Sequence, residues 1–266
     1  MANDSFTNAR PGDNDGTAPE APDRSIKVFT MLENNPEVMN NLAYRLGLSK
    51  QLSFHDVYSL YDSDMLDMLP RPVLALLVTV PMSEAWKQDR DSEDAPLPWY
   101  DGAGQEEPVI WFQQTIIHGC GLIGLLHCIF NSVSSEMIVP RSELANLLEK
   151  AVPLGMHERA KLLNDTEKLF EENEAVARTG DSQPIDCDEF TATGNHFVAF
   201  VKGRDGHLWE LEGSRKGPLD RGPLGEGDDA ISDRALELGI KRLIDMRREG
   251  SGDLMFSCIA LAPNVE

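Results

Sequence analysis

Cys120 stands between Gly119 and Gly121, at the head of a strongly apolar stretch that runs to Val133. A cysteine at the start of a buried helix lies in the positive end of the helix dipole, which favours the thiolate over the thiol. The flanking glycines let another stretch of backbone come close to the sulfur. Gln114 lies six residues earlier. Its side-chain amide and the Cys120 backbone N–H are candidates for an oxyanion hole around a tetrahedral acyl intermediate. The chemistry suggested is nucleophilic attack on a carbonyl. A cysteine within an apolar helix is, taken alone, more often a small buried hydrophobe. That reading is kept for Cys128, while Cys187, among Asp186, Asp188 and Glu189, reads as an incidental exposed thiol.

A thiol nucleophile needs a base. His196 opens an apolar strand, Phe197 to Val201, and the next strand carries Glu210 and Glu212. A carboxylate across a hairpin fixes the imidazole tautomer and leaves the other ring nitrogen for the thiol. Residues two apart on a strand share a face, so alternation does not choose between Glu210 and Glu212.

The elements that must hold these groups follow from pattern. Asn35, Pro36 and Glu37 form a helix start, Met39, Leu42, Ala43 and Leu46 give its apolar stripe, and Gly47 its stop. The run Val73 to Val80 reads as a central strand buried on both faces. Residues 87 to 107, charged and punctuated by Pro96, Pro98, Gly102 and Gly104, read as a mobile surface loop. Helices are expected over Ser142 to Lys150, Met156 to Ala177 and Ser232 to Arg248. Residues 178 to 193 read as a long flexible connection. Strands are expected over His196 to Val201 and His207 to Leu211, joined by a hairpin turn at Arg204-Asp205-Gly206, with a closing strand from Leu254 to Leu261. Without strict strand–helix alternation, the fold class is α+β, with helices on both sides of a mainly antiparallel sheet.

The 266 residues hold 24 Lys plus Arg against 45 Asp plus Glu, a net charge of −21. Such an anion is repelled by phosphate backbones and anionic lipid, which argues against nucleic-acid or membrane binding. No run of 18 apolar residues suggests a membrane span, and the N-terminus lacks an export signal. Residues 1 to 25 read as a disordered acidic tail, and one domain spans 26 to 266. Four cysteines without metal-type spacing imply free thiols in a reducing compartment, cytoplasmic or also nuclear. No metal or organic cofactor is called for, and a monomer is expected.

Several blocks together resemble the ubiquitin carboxyl-terminal hydrolase family of papain-like cysteine peptidases. They are Leu32 to Leu48, Val57-Tyr58, Leu69 to Val73, Gln114 to Gly124, His196 to Ala199 and Gly206 to Gly213, in the family's order from about Ile26 to Ala262. The resemblance implies Cys120 as nucleophile, His196 as general base and acid, Gln114 as oxyanion donor and Glu212 as the third member. The family usually has aspartate at that last position, and the hairpin before it carries one extra residue. Also implied are a knotted backbone, a crossover loop placed at residues 178 to 193, and ubiquitin as partner, with small or unfolded leaving groups. The chain end soon after the last strand implies a short, free-standing type. A ubiquitin-like modifier as substrate, or a catalytically weakened ubiquitin-binding module, remain alternatives on sequence alone.

Overall fold

Seven consecutive residues from Ala75 to Pro81 form a strand, and all but the last are buried. A segment apolar on both faces must lie inside a sheet covered on both sides. The structure, a computed structural model, describes residues 27–180, 194–248 and 257–264 and bears this out. In chain order the elements are α1 (Pro36–Leu46), β1 (Leu52–Asp56), α2 (Ser63–Asp67), β2 (Ala75–Pro81), α3 (Glu84–Asp94), α4 (Cys120–Ser132), α5 (Glu143–Ala151), α6 (Met156–Asp165) and α7 (Glu167–Ala177). Then follow β3 (Asn195–Lys202), β4 (His207–Leu211), β5 (Leu219–Pro223), α8 (Asp233–Leu238), α9 (Ile240–Arg248) and β6 (Ser257–Pro263). The six strands make one sheet in the order β1-β6-β2-β3-β4-β5, every pairing antiparallel.

Each sheet face has its own apolar core. Ala75, Leu77, Phe197 and Ala199 face a cluster built from α1, α4, α5, α6 and α7. Leu76, Val78, Val198 and Phe200 face the other, with Leu66 of α2, Trp86 of α3, Leu236 of α8 and Leu243 of α9. The α+β class with helices on both sides is therefore observed. Helix α1 begins as its residues dictate: Asn35 Oδ1 accepts the Val38 N–H at 2.8 Å, and Gly47 closes it in the left-handed region at φ 117°. At the β3–β4 hairpin, Gly206 takes φ 80° and Asp205 Oδ1 accepts the His207 N–H at 3.1 Å.

Four expectations are corrected. Residues 84 to 94, within the stretch read as loop, form α3. Ser83 Oγ caps it by accepting the Trp86 N–H at 3.2 Å. Its buried face is made by Trp86 and Asp94 rather than by an aliphatic stripe. Its carboxylates are neutralised by arginines more than 100 residues later, which local periodicity cannot register. The helix expected over 156 to 177 is two, meeting at Thr166 with extended backbone. The helix expected over 232 to 248 breaks at Gly239, where a Cβ would stand 3.0 Å from Phe200 Cδ1. Strand β5 had no counterpart in the sequence reading, because Gly222 and Pro223 disguise it; as an edge strand it tolerates both. Residues 1 to 26 and 181 to 193 lie outside the described residues. The expected tail lies wholly outside them, as do most of the expected crossover loop and parts of the path that a knot would follow.

Arg159 and Glu107 form an ion pair inside the fold. Arg159 is wholly buried; its Nη1 donates to Glu107 Oε1 at 3.0 Å, its Nη2 to Glu107 Oε2, and its Nε to the Ala151 carbonyl at 2.8 Å. Removing one member leaves the other charged and dry. Glu107→Ala should cost about 3–5 kcal/mol, measured by urea unfolding, whereas replacing either member of the exposed Lys161–Asp165 pair on α6 should leave stability nearly unchanged.

Candidate active site

Helix α4 is buried nearly all round. Gly119 precedes it, and no side chain caps its first turn. The open N–H groups there, with the helix dipole, suit a developing negative charge. Close packing brings this helix end to β3. At Gly124 a Cβ would stand 2.7 Å from Leu77 Cδ1, and at Gly121 it would stand 3.0 Å from Leu32 Cβ. Cys120 is partly exposed, while Cys128 and Cys258 are buried, and burial pushes both of those thiols up out of the reactive range. Cys187 lies outside the described residues.

His196 is buried at the start of β3, and its Nε2 contacts Glu212 Oε1. Cys120 is close enough to favour the protonated form of the ring. The imidazole thus lies between thiol and carboxylate, with Nε2 spent on the acid. Glu212 is held in turn. The Ser214 N–H donates to the same Oε1 at 2.7 Å, and Trp111 Nε1–H donates to the Glu212 carbonyl at 3.2 Å. Burial alone would lower the His196 pKa, but the Glu212 carboxylate and Cys120 outweigh it and raise it from 6.5 to about 10. Burial alone would raise Glu212, but His196 and the Ser214 donors bring it from 4.5 to about 2.

Strand register and pairing resolve the choice between the two glutamates. Phe200 lies opposite Glu210, four residues along β3 from His196. Glu210 is also engaged elsewhere: Arg221 Nε donates to its Oε2 at 2.8 Å, and Arg215 and Arg242 lie within 3.6 Å. Glu212, just past the end of β4, lies two residues nearer to His196, and its side chain reaches the imidazole.

Gln114 is tied to the same corner. Its backbone N–H donates to the Gly213 carbonyl at 2.8 Å, and a Cβ on Gly213 would stand 3.0 Å from Gln114 Cβ. Its Nε2 donates to the Ile116 carbonyl at 3.2 Å, and the Gly119 N–H donates to that same carbonyl at 3.2 Å. The shared acceptor joins the Gln114 amide to the residue just before α4. One amide hydrogen is engaged there, and the amide has a second to offer.

Three contributors escaped the sequence reading. His127, read only as part of an apolar helix face, accepts the Phe112 N–H on Nε2 at 2.9 Å; burial lowers its pKa to about 3 and keeps it neutral. It ties α4 to the segment that leads to Gln114. Trp86 packs its ring on His196, with centroids 5.8 Å apart, and Arg90 Nη1 donates to Ser214 Oγ at 2.9 Å. The Ser83 cap followed by Glu84 was the available signal for the helix that carries both.

The family model described as ubiquitin carboxyl-terminal hydrolase, family 1, matches residues 29–245. A ubiquitin carboxyl-terminal hydrolase of Drosophila melanogaster is 32% identical over 199 residues, 75% of this chain and 84% of that one. Ubiquitin carboxyl-terminal hydrolase YUH1 of Saccharomyces cerevisiae is 30% identical over 249 residues, covering 90% of this chain and 98% of its own length. Among solved structures, the Trichinella spiralis UCH37 catalytic domain bound to ubiquitin vinyl methyl ester superposes with a TM-score of 0.68. That match covers 91% of this chain and 98% of that one, at 16% identity, which speaks to the fold.

The two glutamates should separate experimentally. Glu212→Gln should lower the rate of thiol-dependent hydrolysis strongly, by up to about 10⁴-fold, because an amide does not hold the imidazolium. Glu210→Gln should instead lower stability and leave the rate nearly intact. The pH dependence has a definite sign. A raised His196 pKa contributes stability that is lost as pH rises from 6.5 towards about 10. A lowered Glu212 pKa contributes stability that is lost as pH falls from 4.5 towards about 2. The wild type should therefore lose stability relative to Glu212→Gln in both windows, as read by denaturant unfolding at each pH.

Proposed function

The chain belongs to the ubiquitin carboxyl-terminal hydrolase family 1, and from that premise we propose that it is a cysteine-type deubiquitinase acting at the C-terminal glycine of ubiquitin. The observation that carries this reading is His196, buried between the Cys120 side chain and the Glu212 carboxylate.

The reaction follows from these positions. Cys120 and His196 rest as a thiolate–imidazolium pair, and the sulfur attacks the carbonyl carbon of the terminal glycine. The carbonyl π electrons move to oxygen. The resulting oxyanion is met by the Cys120 backbone N–H and the second hydrogen of the Gln114 amide. Collapse of the intermediate expels the leaving nitrogen, which takes the proton from His196, and a thioester remains. A water then gives its proton to His196 and attacks the thioester carbon. Cys120 departs as thiolate, and the ubiquitin carboxylate is released. Glu212 stays ionised throughout and steadies each imidazolium.

We also assign small or unfolded leaving groups as the preferred adducts. A partly exposed thiol between buried partners suits an extended tail better than a folded surface.

The test is hydrolysis of a ubiquitin C-terminal amidomethylcoumarin, in parallel with a ubiquitin-like modifier carrying the same fluorophore. Cys120→Ala should abolish turnover while retaining ubiquitin affinity, since most of the binding is remote from one sulfur atom. Gln114→Ala should lower kcat by about 10²-fold to 10³-fold, the usual loss of one oxyanion donor. Near-normal turnover in Cys120→Ala would overturn the assignment.

A further inference from the structure

Helix α3 touches His196 and the Ser214 turn that holds Glu212. One turn apart on it, Trp86 and Arg90 share a face, and the Arg90 guanidinium lies 5.1 Å from the Trp86 ring centroid. The Trp86 ring is buried against the His196 imidazole, centroids 5.8 Å apart and tilted by 43°. Arg90 Nη1 donates to Ser214 Oγ at 2.9 Å, and the Ser214 N–H donates to Glu212 Oε1 at 2.7 Å. The chain of contacts closes on itself: Trp86 to His196, His196 to Glu212, Glu212 to Ser214, Ser214 to Arg90, and Arg90 back to Trp86.

The last turn of α3 anchors this loop. Arg215, next to Ser214, is buried; its Nη1 donates to Asp94 Oδ1 and its Nη2 to Glu93 Oε2, each at 2.9 Å. Arg221 on β5 donates to Glu93 Oε1 at 2.8 Å and to Glu210 Oε2 at 2.8 Å. A helix with few apolar residues is thus bolted by charge to the strands that carry the acid. Its position fixes how tightly Trp86 closes over the imidazole.

We propose that Trp86 and Arg90 are positioning residues for the cysteine-peptidase reaction: Trp86 holds the His196 ring and keeps water from it, and Arg90 holds the Ser214 turn that aims Glu212. Neither need touch substrate. Glu212 has one more rotatable bond than an aspartate would have, so it has more need of a fixed turn behind it. The proposal rests on the deubiquitinase reading for its kinetic arm and is independent of it in its chemical arm.

The kinetic arm compares wild type with Trp86→Ala, Trp86→Phe and Arg90→Gln on the ubiquitin amidomethylcoumarin substrate. Trp86→Ala should lower kcat by about 10-fold to 100-fold, with KM within about twofold, because misplacing one reacting group by an ångström costs that much. Trp86→Phe keeps an aromatic face and should recover most of the loss. Arg90→Gln should lower kcat several-fold, again without moving KM.

The chemical arm needs no ubiquitin. The rate of Cys120 alkylation by iodoacetamide is followed against pH in a Cys187→Ser background, with the modified site read by mass spectrometry. A thiolate paired with imidazolium reacts well below the ordinary thiol pKa of about 8.5. The wild type should show that low-pH reactivity. In Trp86→Ala and Arg90→Gln the profile should move up towards the ordinary thiol, and Trp86→Phe should stay near wild type. If Trp86→Ala does not fold, Arg90→Gln and Trp86→Phe carry the test. Wild-type kcat and an unmoved alkylation profile in folded Trp86→Ala or Arg90→Gln would overturn the proposal, as would a loss confined to KM. A wild type that alkylates as expected but hydrolyses no ubiquitin substrate would overturn the deubiquitinase reading and leave the positioning claim to the alkylation profiles.

Discussion

A histidine buried from water gives up its proton easily unless a carboxylate lies beside it. In this protein that carboxylate is Glu212, itself buried and in contact with His196 Nε2. Each group alone would be driven towards neutrality by burial; together each keeps the other charged. The partnership leaves the second ring nitrogen for Cys120 and makes His196 a strong acceptor for the thiol proton. Everything else about the site serves to bring this pair and one sulfur atom to a single corner of the sheet.

The fold does so with three kinds of constraint. Packing without side chains brings α4 down on β2 and β3, through Gly121 and Gly124, so that Cys120 arrives at the start of β3. Side-chain contact with His196 Nε2 engages Glu212, just past the end of β4, and Glu210 goes to the arginines of β5 and α9 and to Arg215. A buried polar frame holds the rest. Gln114 is fastened to Gly213, His127 to Phe112, and Trp111 to Glu212. A buried ionic cluster is weak evidence for net stability, since desolvation offsets much of the attraction. Its value here is geometric, because Glu93 and Asp94 tie α3 to the chain just after the acid.

What was legible in the sequence was whatever depends on neighbours along the chain. The Asn35-Pro36 start and Gly47 stop of α1, the two-sided apolar run of β2, the apolar α4 and the turn at Asp205-Gly206 are all local signals. Cys120, His196 and Gln114 were visible for the same reason, with roles carried by the resemblance. Glu212 was only half visible: alternation gave two glutamates on one face, and the choice needed the register and the arginines. Helix α3 was hidden because its buried face holds Trp86 and Asp94, and its partners Arg215 and Arg221 lie far off in the chain. The break at Gly239 answers to tertiary packing, since a Cβ there would meet the Phe200 ring. Trp86, in a charged stretch, carried no mark of the imidazole it covers.

The central claim is that Glu212 keeps His196 protonated inside the protein. The most direct measurement is the nitrogen-15 spectrum of the histidine side chains followed across pH, with His196→Gln to assign the signal. The account predicts that His196 carries a proton on both ring nitrogens well past the ordinary value of 6.5. A His196 ring that loses its proton near 6.5, with one tautomer above it, would contradict the account.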